Sequence, residues 1–220
     1  PKLSKQTYIW GIMQFAPTIL VDGSWLQNIN KIRDLSLLPI TQRLFQIFSD
    51  ELGGGVIERN HPYIYQRLLD SENIHLPPLH TKAFSDNPEF LESAFDIPIY
   101  LMAISQFPNL FLPELLGLNL AIELSGLGNG YLRLAEALRY WEIDPSIVNV
   151  HISIDNLASG HAALAKTAIQ LYLDYLDANQ GRQAVNDHWR RIYSGYRSLS
   201  VASWRFKMAF VAAYFFQSRN

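Results

Sequence analysis

Residues 109–127 read NLFLPELLGLNLAIELSGL, apolar on nearly every side of a helix. A helix that is apolar all round has no face for water and sits at the centre of its domain. Its neighbours show the same period. Ile29, Ile32, Leu35 and Leu38, then Leu44, Ile47, Phe48 and Leu52, recur at helical spacing. No stretch sustains the alternation of a half-buried strand. The pattern predicts an all-α fold, a bundle of about seven helices with short connectors. A single domain over residues 1–220 suits this length. The start at Pro1 suits a domain excised from a longer chain, or a trimmed product.

The expected helices cover residues 5–15, 28–52 with a kink at Pro39, 61–72, 89–106 with a kink at Pro98, 109–127, 131–141, 144–179 and 182–217. Gly53-Gly54-Gly55 reads as a helix terminator, since no GK[ST] follows it and no strand pattern precedes it. The last helix carries Trp204, Phe206, Phe210, Tyr214 and Phe215, which suit a homodimer interface as well as a core.

Chemistry-bearing residues stand among these apolar helices. His151 and Asp155 are four apart in VNVHISIDNLASGHAALAK and share a helix face. Such a pair suits a metal, and it also suits a plain ion pair. Glu123 lies in LGLNLAIELSGLG, where a buried carboxylate without a partner costs several kcal/mol. It pairs with a base, stays protonated, bonds Asn119 or holds a metal. Glu51 ends one helix and His61 starts the next, so a turn can aim both at one point. Glu58 and Asp50 compete for that role. His161 lies about 120° from Asp155 on an ideal helix and joins the group only through a break, which Ser159-Gly160 can supply. The candidate set is Glu51, His61, Glu123, His151, Asp155 and His161, nearly sufficient for two metals. His75 and His80, separated by two prolines, read as loop residues.

The chain has no cysteine, which excludes disulfides, thiolate metal sites and a cysteine nucleophile. A metal here takes His, Asp and Glu, a donor set for iron, manganese or zinc. A reducing, cytoplasmic compartment fits, and no secretory signal opens the chain. The net charge is -2 with no basic stripe, so no nucleic-acid partner is expected. Apolar runs such as SVASWRFKMAFVAAYFF are broken before membrane-span length, so no membrane partner is expected either.

Taken together, DELGGG followed by His61, LGLNLAIE ending at Glu123, and RYWEIDPSIVNVHISIDN through His151 and Asp155 resemble the haem-oxygenase-like diiron oxidases and oxygenases, often called iron-containing redox enzymes. The resemblance spans about residues 50–175. It implies a seven-helix haem-oxygenase-like bundle whose core holds two Fe(II) ions, with Glu51, His61, Glu123, His151 and Asp155 as ligands. Such enzymes activate O2 and attack small amine, amino-acid or fatty-acid substrates, by N-oxygenation, oxidative C–C cleavage or decarboxylation. The pattern departs twice. The family's third His falls at Ala158 here, with His161 displaced. The family also takes a carboxylate from its first core helix, but no Glu precedes Glu51, and the polar residues available for the role are Gln14, Asp22, Gln27 and Asp34. Either Asp22 or Asp34 substitutes, or the set is one short. The alternatives on the same bundle are a haem-binding relative, disfavoured because the first His is His61, and a metal-free interaction domain.

Overall fold

The computed structural model describes residues 3–154 and 158–217, with side chains as far as Ala213. Among the described residues there are helices and no strand. In order they are α1 (Lys5–Ile19), α2 (Leu38–Glu51), α3 (His61–Ser71), the single turn α4 (Lys82–Ser85), α5 (Asp96–Ser105), α6 (Pro108–Ser125), α7 (Asn129–Tyr140), α8 (Ser146–Ile154), α9 (His161–Gln180), α10 (Arg182–Ala202) and α11 (Trp204–Gln217). The all-α bundle is as the apolar period predicts, and the expected count of seven is approximate. The two longest expected helices each divide. One is helical as far as the described Ile154, turns through residues 158–160 and begins again at His161; the other breaks at Ser203. Residues 28–37 form 3-10 turns instead of a helix, Ile29–Lys31 and Leu35–Leu37. Helix α2 begins only at Leu38 because Pro39, without an N–H, belongs in a first turn. Helix α1 runs on through Pro17.

Two apolar clusters build the interior. One joins α2, α5, α6, α9 and α10 around Leu44, Leu116, Leu118 and Leu176, with Trp25 and Leu26 inserted. The other joins α1, α3, α7 and α8 around Tyr65, Leu68, Leu138 and Val148. Each fully buried Leu or Ile contributes roughly 1.5–3 kcal/mol. As its composition demands, α6 is central. It packs on α9 and α10, and its contact with α10 is at backbone distance: a Cβ added to Gly117 would stand 1.8 Å from the Ile192 carbonyl oxygen. Beside this crossing, Arg191 Nε and Nη2 donate to the two Glu114 carboxylate oxygens, each at 2.7 Å. No single described helix is long and apolar enough to cross a membrane.

Candidate metal centre

The seam between the two clusters is where the acids and imidazoles gather. Each arrives as the end of a buried stripe. On α2, Ile40, Leu44 and Ile47 are buried, and Glu51 follows one turn later on the same face. On α3, His61 precedes Tyr65 and Leu68; on α9, His161 precedes Ala165, Ala168 and Tyr172. Glu123 lies one turn beyond buried Asn119 on α6, near that helix's end. The loop between α2 and α3 is held by Asn60. Its side chain donates to the Leu52 carbonyl and accepts from Tyr63 N–H, which joins the end of one helix to the start of the next. Asp22 comes from the turn after α1. That turn lies flat on α2 because Gly23, at φ 79°, adopts a left-handed conformation, and a Cβ there would meet Glu51 Cβ at 3.0 Å. The following residues are anchored by Trp25 Nε1, which donates to Asn119 Oδ1 at 2.8 Å.

Two groups result. Asp22, Glu51, His61 and His151 each offer one donor atom, all within 4.8 Å of one another. Glu51, Glu123 and His161 do the same. Glu51 belongs to both groups through different oxygens. Its Oε2 lies 2.5 Å from His61 Nδ1, and its Oε1 lies 3.3 Å from His161 Nδ1. Asp22 Oδ2 is 3.3 Å from His61 Nδ1 and 3.5 Å from His151 Nε2, and Glu123 Oε2 is 3.3 Å from His161 Nδ1.

These residues fit an iron centre. Ligands at about 2.1 Å from a common ion lie roughly 3–4.3 Å apart, the range most of these pairs occupy. The Glu51 Oε2–His61 Nδ1 approach, at 2.5 Å, is the closest of them and brings two donor atoms to one point. The outer nitrogens set the tautomers. His151 Nδ1 lies 2.7 Å from the Ile147 carbonyl oxygen, which can only accept, so Nδ1 carries the proton and Nε2 faces Asp22. His161 Nε2 donates to Asp50 Oδ2 at 3.3 Å, which turns Nδ1 towards Glu51 and Glu123.

Without a metal the centre holds protons in its place. Burial opposes a charge on His61, but the facing Asp22 and Glu51 carboxylates overcome it and push its pKa up to about 10. The same contest, decided by Asp22, takes His151 up to about 9; Glu123 and Glu51 take His161 up to about 11. Burial pushes Asp22 up, and the imidazoles of His151 and His61 outweigh it, so its carboxyl stays well below the usual range. A metal needs the inner nitrogen of each imidazole bare. Loading near neutral pH is therefore expected to release about three protons per chain, and affinity should rise with pH up to the imidazole values. Calorimetry in buffers of different ionisation enthalpy measures this; release of none would contradict it.

Five of the six candidates from the sequence converge here: Glu51, His61, Glu123, His151 and His161. Asp155 lies outside the described residues. The early carboxylate is Asp22; Asp34 is a surface cap bonded to Ser36, and Gln14 is buried but bonded to the backbone of Glu89 and Leu91. Glu58 is exposed on its 3-10 turn, and Asp50 stands behind His161. His75 and His80 are exposed, as expected of loop residues.

A search among curated proteins found no significant match. The family model described as iron-containing redox enzyme matches residues 10–196, a span that takes in Asp22 and all five converging candidates. By that match over most of its length, and with a buried Glu/His cluster that fits iron, the chain belongs to the iron-containing redox enzyme family.

Proposed function

We propose that the chain is an O2-activating non-haem oxidase or oxygenase with two irons, acting on a small organic substrate. The observation that carries this reading is Glu51, whose two oxygens face two separate His-containing groups. Asp22, His61 and His151 would hold one ion, and Glu123 and His161 the other, with Glu51 between them. Iron bound there supplies the reducing electrons that activate O2.

The protein's own groups do the rest. Carboxylate and imidazole donors of this kind would leave a bound ion open positions for exogenous ligands. Asp50 and the Ile147 carbonyl fix the two imidazole rings from behind. His151 also forms part of the wall of an apolar cavity of about 500 Å3, so a bound molecule and the centre meet at this side chain. Apolar walls keep bulk water from the reacting groups. The test is oxygen uptake by Fe(II)-loaded protein with a chemical reductant. Uptake should depend on iron and fall to background in His151→Ala; uptake that is unchanged without iron would refute the reading.

A further inference from the structure

The outer side of the last two helices carries a pattern that the iron centre does not use. On α10, Ile192 and Gly195 turn inward, at backbone distance from α6. The opposite side is not the polar face that such a helix ordinarily shows to water. Trp189, Tyr193 and Tyr196, at i, i+4 and i+7, form an exposed ridge two turns long, with Arg190 and Arg197 beside it. Helix α11 repeats the arrangement. Its Phe206 and Phe210 pack inward on Phe15 and Trp10, while Trp204, Met208 and Val211 form the exposed ridge, with Arg205 and Lys207 beside it. The second ridge continues the first. Ser203 between the helices keeps right-handed helical torsions, its N–H donates to the Leu199 carbonyl at 3.0 Å, and Lys207 N–H donates to the Ser203 carbonyl at 2.9 Å. The direction of Trp204 therefore falls within about 60° of that of Trp189.

Charge is placed as unevenly as the aromatic rings. Residues 182–213 hold Arg182, Arg190, Arg191, Arg197, Arg205 and Lys207 against one acid, Asp187, in a chain of formal net charge -2. Arg191 is taken up by Glu114. Asp187 pairs with Arg190 at 3.2 Å, and Asp96 and Glu92 pair with Arg205 at 3.4 and 3.7 Å. Such exposed pairs are weak and leave these two cations available. Arg197 and Lys207 are exposed and have no acidic partner among the described residues. Trp and Tyr ridges edged by Arg and Lys match the boundary layer of a bilayer, where the rings sit at headgroup level and long basic side chains reach the phosphates. A helix too short to cross a bilayer can still lie on one, so the lack of a spanning helix does not exclude this contact. A second copy of the chain fits less well. A two-fold contact sets one patch against itself, so Arg197 and Lys207 would meet like charge.

We propose that the α10–α11 face docks on an anionic lipid surface, with Trp189 and Trp204 at headgroup depth and Arg197 and Lys207 on lipid phosphates. This docking does not depend on the iron reading. Sedimentation of the whole chain with large vesicles tests it, with phosphatidylcholine alone and with phosphatidylcholine mixed with phosphatidylglycerol. The wild type should sediment with the mixed, anionic vesicles, less so as salt rises, and stay in solution with phosphatidylcholine alone. Arg197→Gln/Lys207→Gln should weaken binding roughly 25-fold, about 5-fold for each cation removed. Trp189→Ser/Trp204→Ser should weaken it at least about 10-fold with no change of charge. All four side chains are exposed, so both variants should keep the wild-type Tm. Lys31→Gln/Lys82→Gln removes the same charge from other exposed positions and should change binding by no more than about 2-fold. Absence of binding to anionic vesicles would overturn the proposal in favour of an acidic protein partner. Equal losses in the two charge variants would overturn it as well, since net charge and not this face would then govern binding. A wild type that is dimeric in solution and monomeric as Trp189→Ser/Trp204→Ser would assign the face to a second copy instead.

Discussion

A Glu51→Gln protein is expected to lose iron from both halves of the centre at once. Glu51 is buried between His61 and His161, with one oxygen for each. Glutamine keeps the volume but removes the charge, and it offers an amide nitrogen where an oxygen is needed. An ion held on either side would then lose an anionic ligand. Changing even an outer partner of a metal ligand costs 10–100-fold in affinity, so loss of a shared ligand should cost roughly 100-fold or more at each position. Single-group changes should behave differently. His151→Ala should empty the Asp22 side and spare the Glu123 side, and Glu123→Gln should do the reverse. Metal analysis after anaerobic Fe(II) loading and gel filtration separates the three variants. Equal losses in all three would show that the halves are not linked through Glu51 as described.

The largest expected effect on stability lies far from this chemistry, where α6 crosses α10. A Cβ at Gly195 would sit 2.0 Å from the Glu114 carbonyl oxygen, and one at Gly117 would meet Ile192 backbone as closely. Backbone atoms cannot rotate aside, so the helices must separate. Separation also strains the Arg191–Glu114 pair and the Tyr100 Oη to Ser198 Oγ hydrogen bond. Gly195→Ala should therefore cost about 3 kcal/mol, at the upper end for overpacking, and lower Tm by roughly 10 °C. Gly130→Ala is the control. Nothing stands within 4 Å of its added Cβ, and the helix gains from the exchange. Thermal unfolding that treats the two alanines alike would contradict the close crossing.

Much of the centre was visible as sequence because its residues extend apolar stripes. Glu51 continues Ile40, Leu44 and Ile47 at helical spacing, and Glu123 stands in a helix apolar on nearly every side. A carboxylate on such a face needs a partner, and period alone points to it. Asp22 carries no such mark. It lies past the end of α1 in a turn, and its position depends on Gly23 against Glu51 and on Trp25 held by Asn119, contacts between distant parts of the chain. His161 was obscured for the opposite reason. Residues 144–179 have one continuous helical pattern, and on an unbroken helix His161 faces away; the restart at His161 is a tertiary choice that places its ring between Glu51 and Glu123. The apolar cavity beside His151 was not legible at all, because α1, α3, α7, α8 and α11 must assemble before its walls exist.

The direct test of the account is an anaerobic Fe(II) titration of the metal-free protein, with iron counted per chain and its environment read by Mössbauer spectroscopy. Binding that saturates at about two irons per chain, as a coupled pair that becomes uncoupled or lost in Glu51→Gln, is the predicted result. Saturation at a single isolated iron, or no binding, would contradict a centre bridged by Glu51.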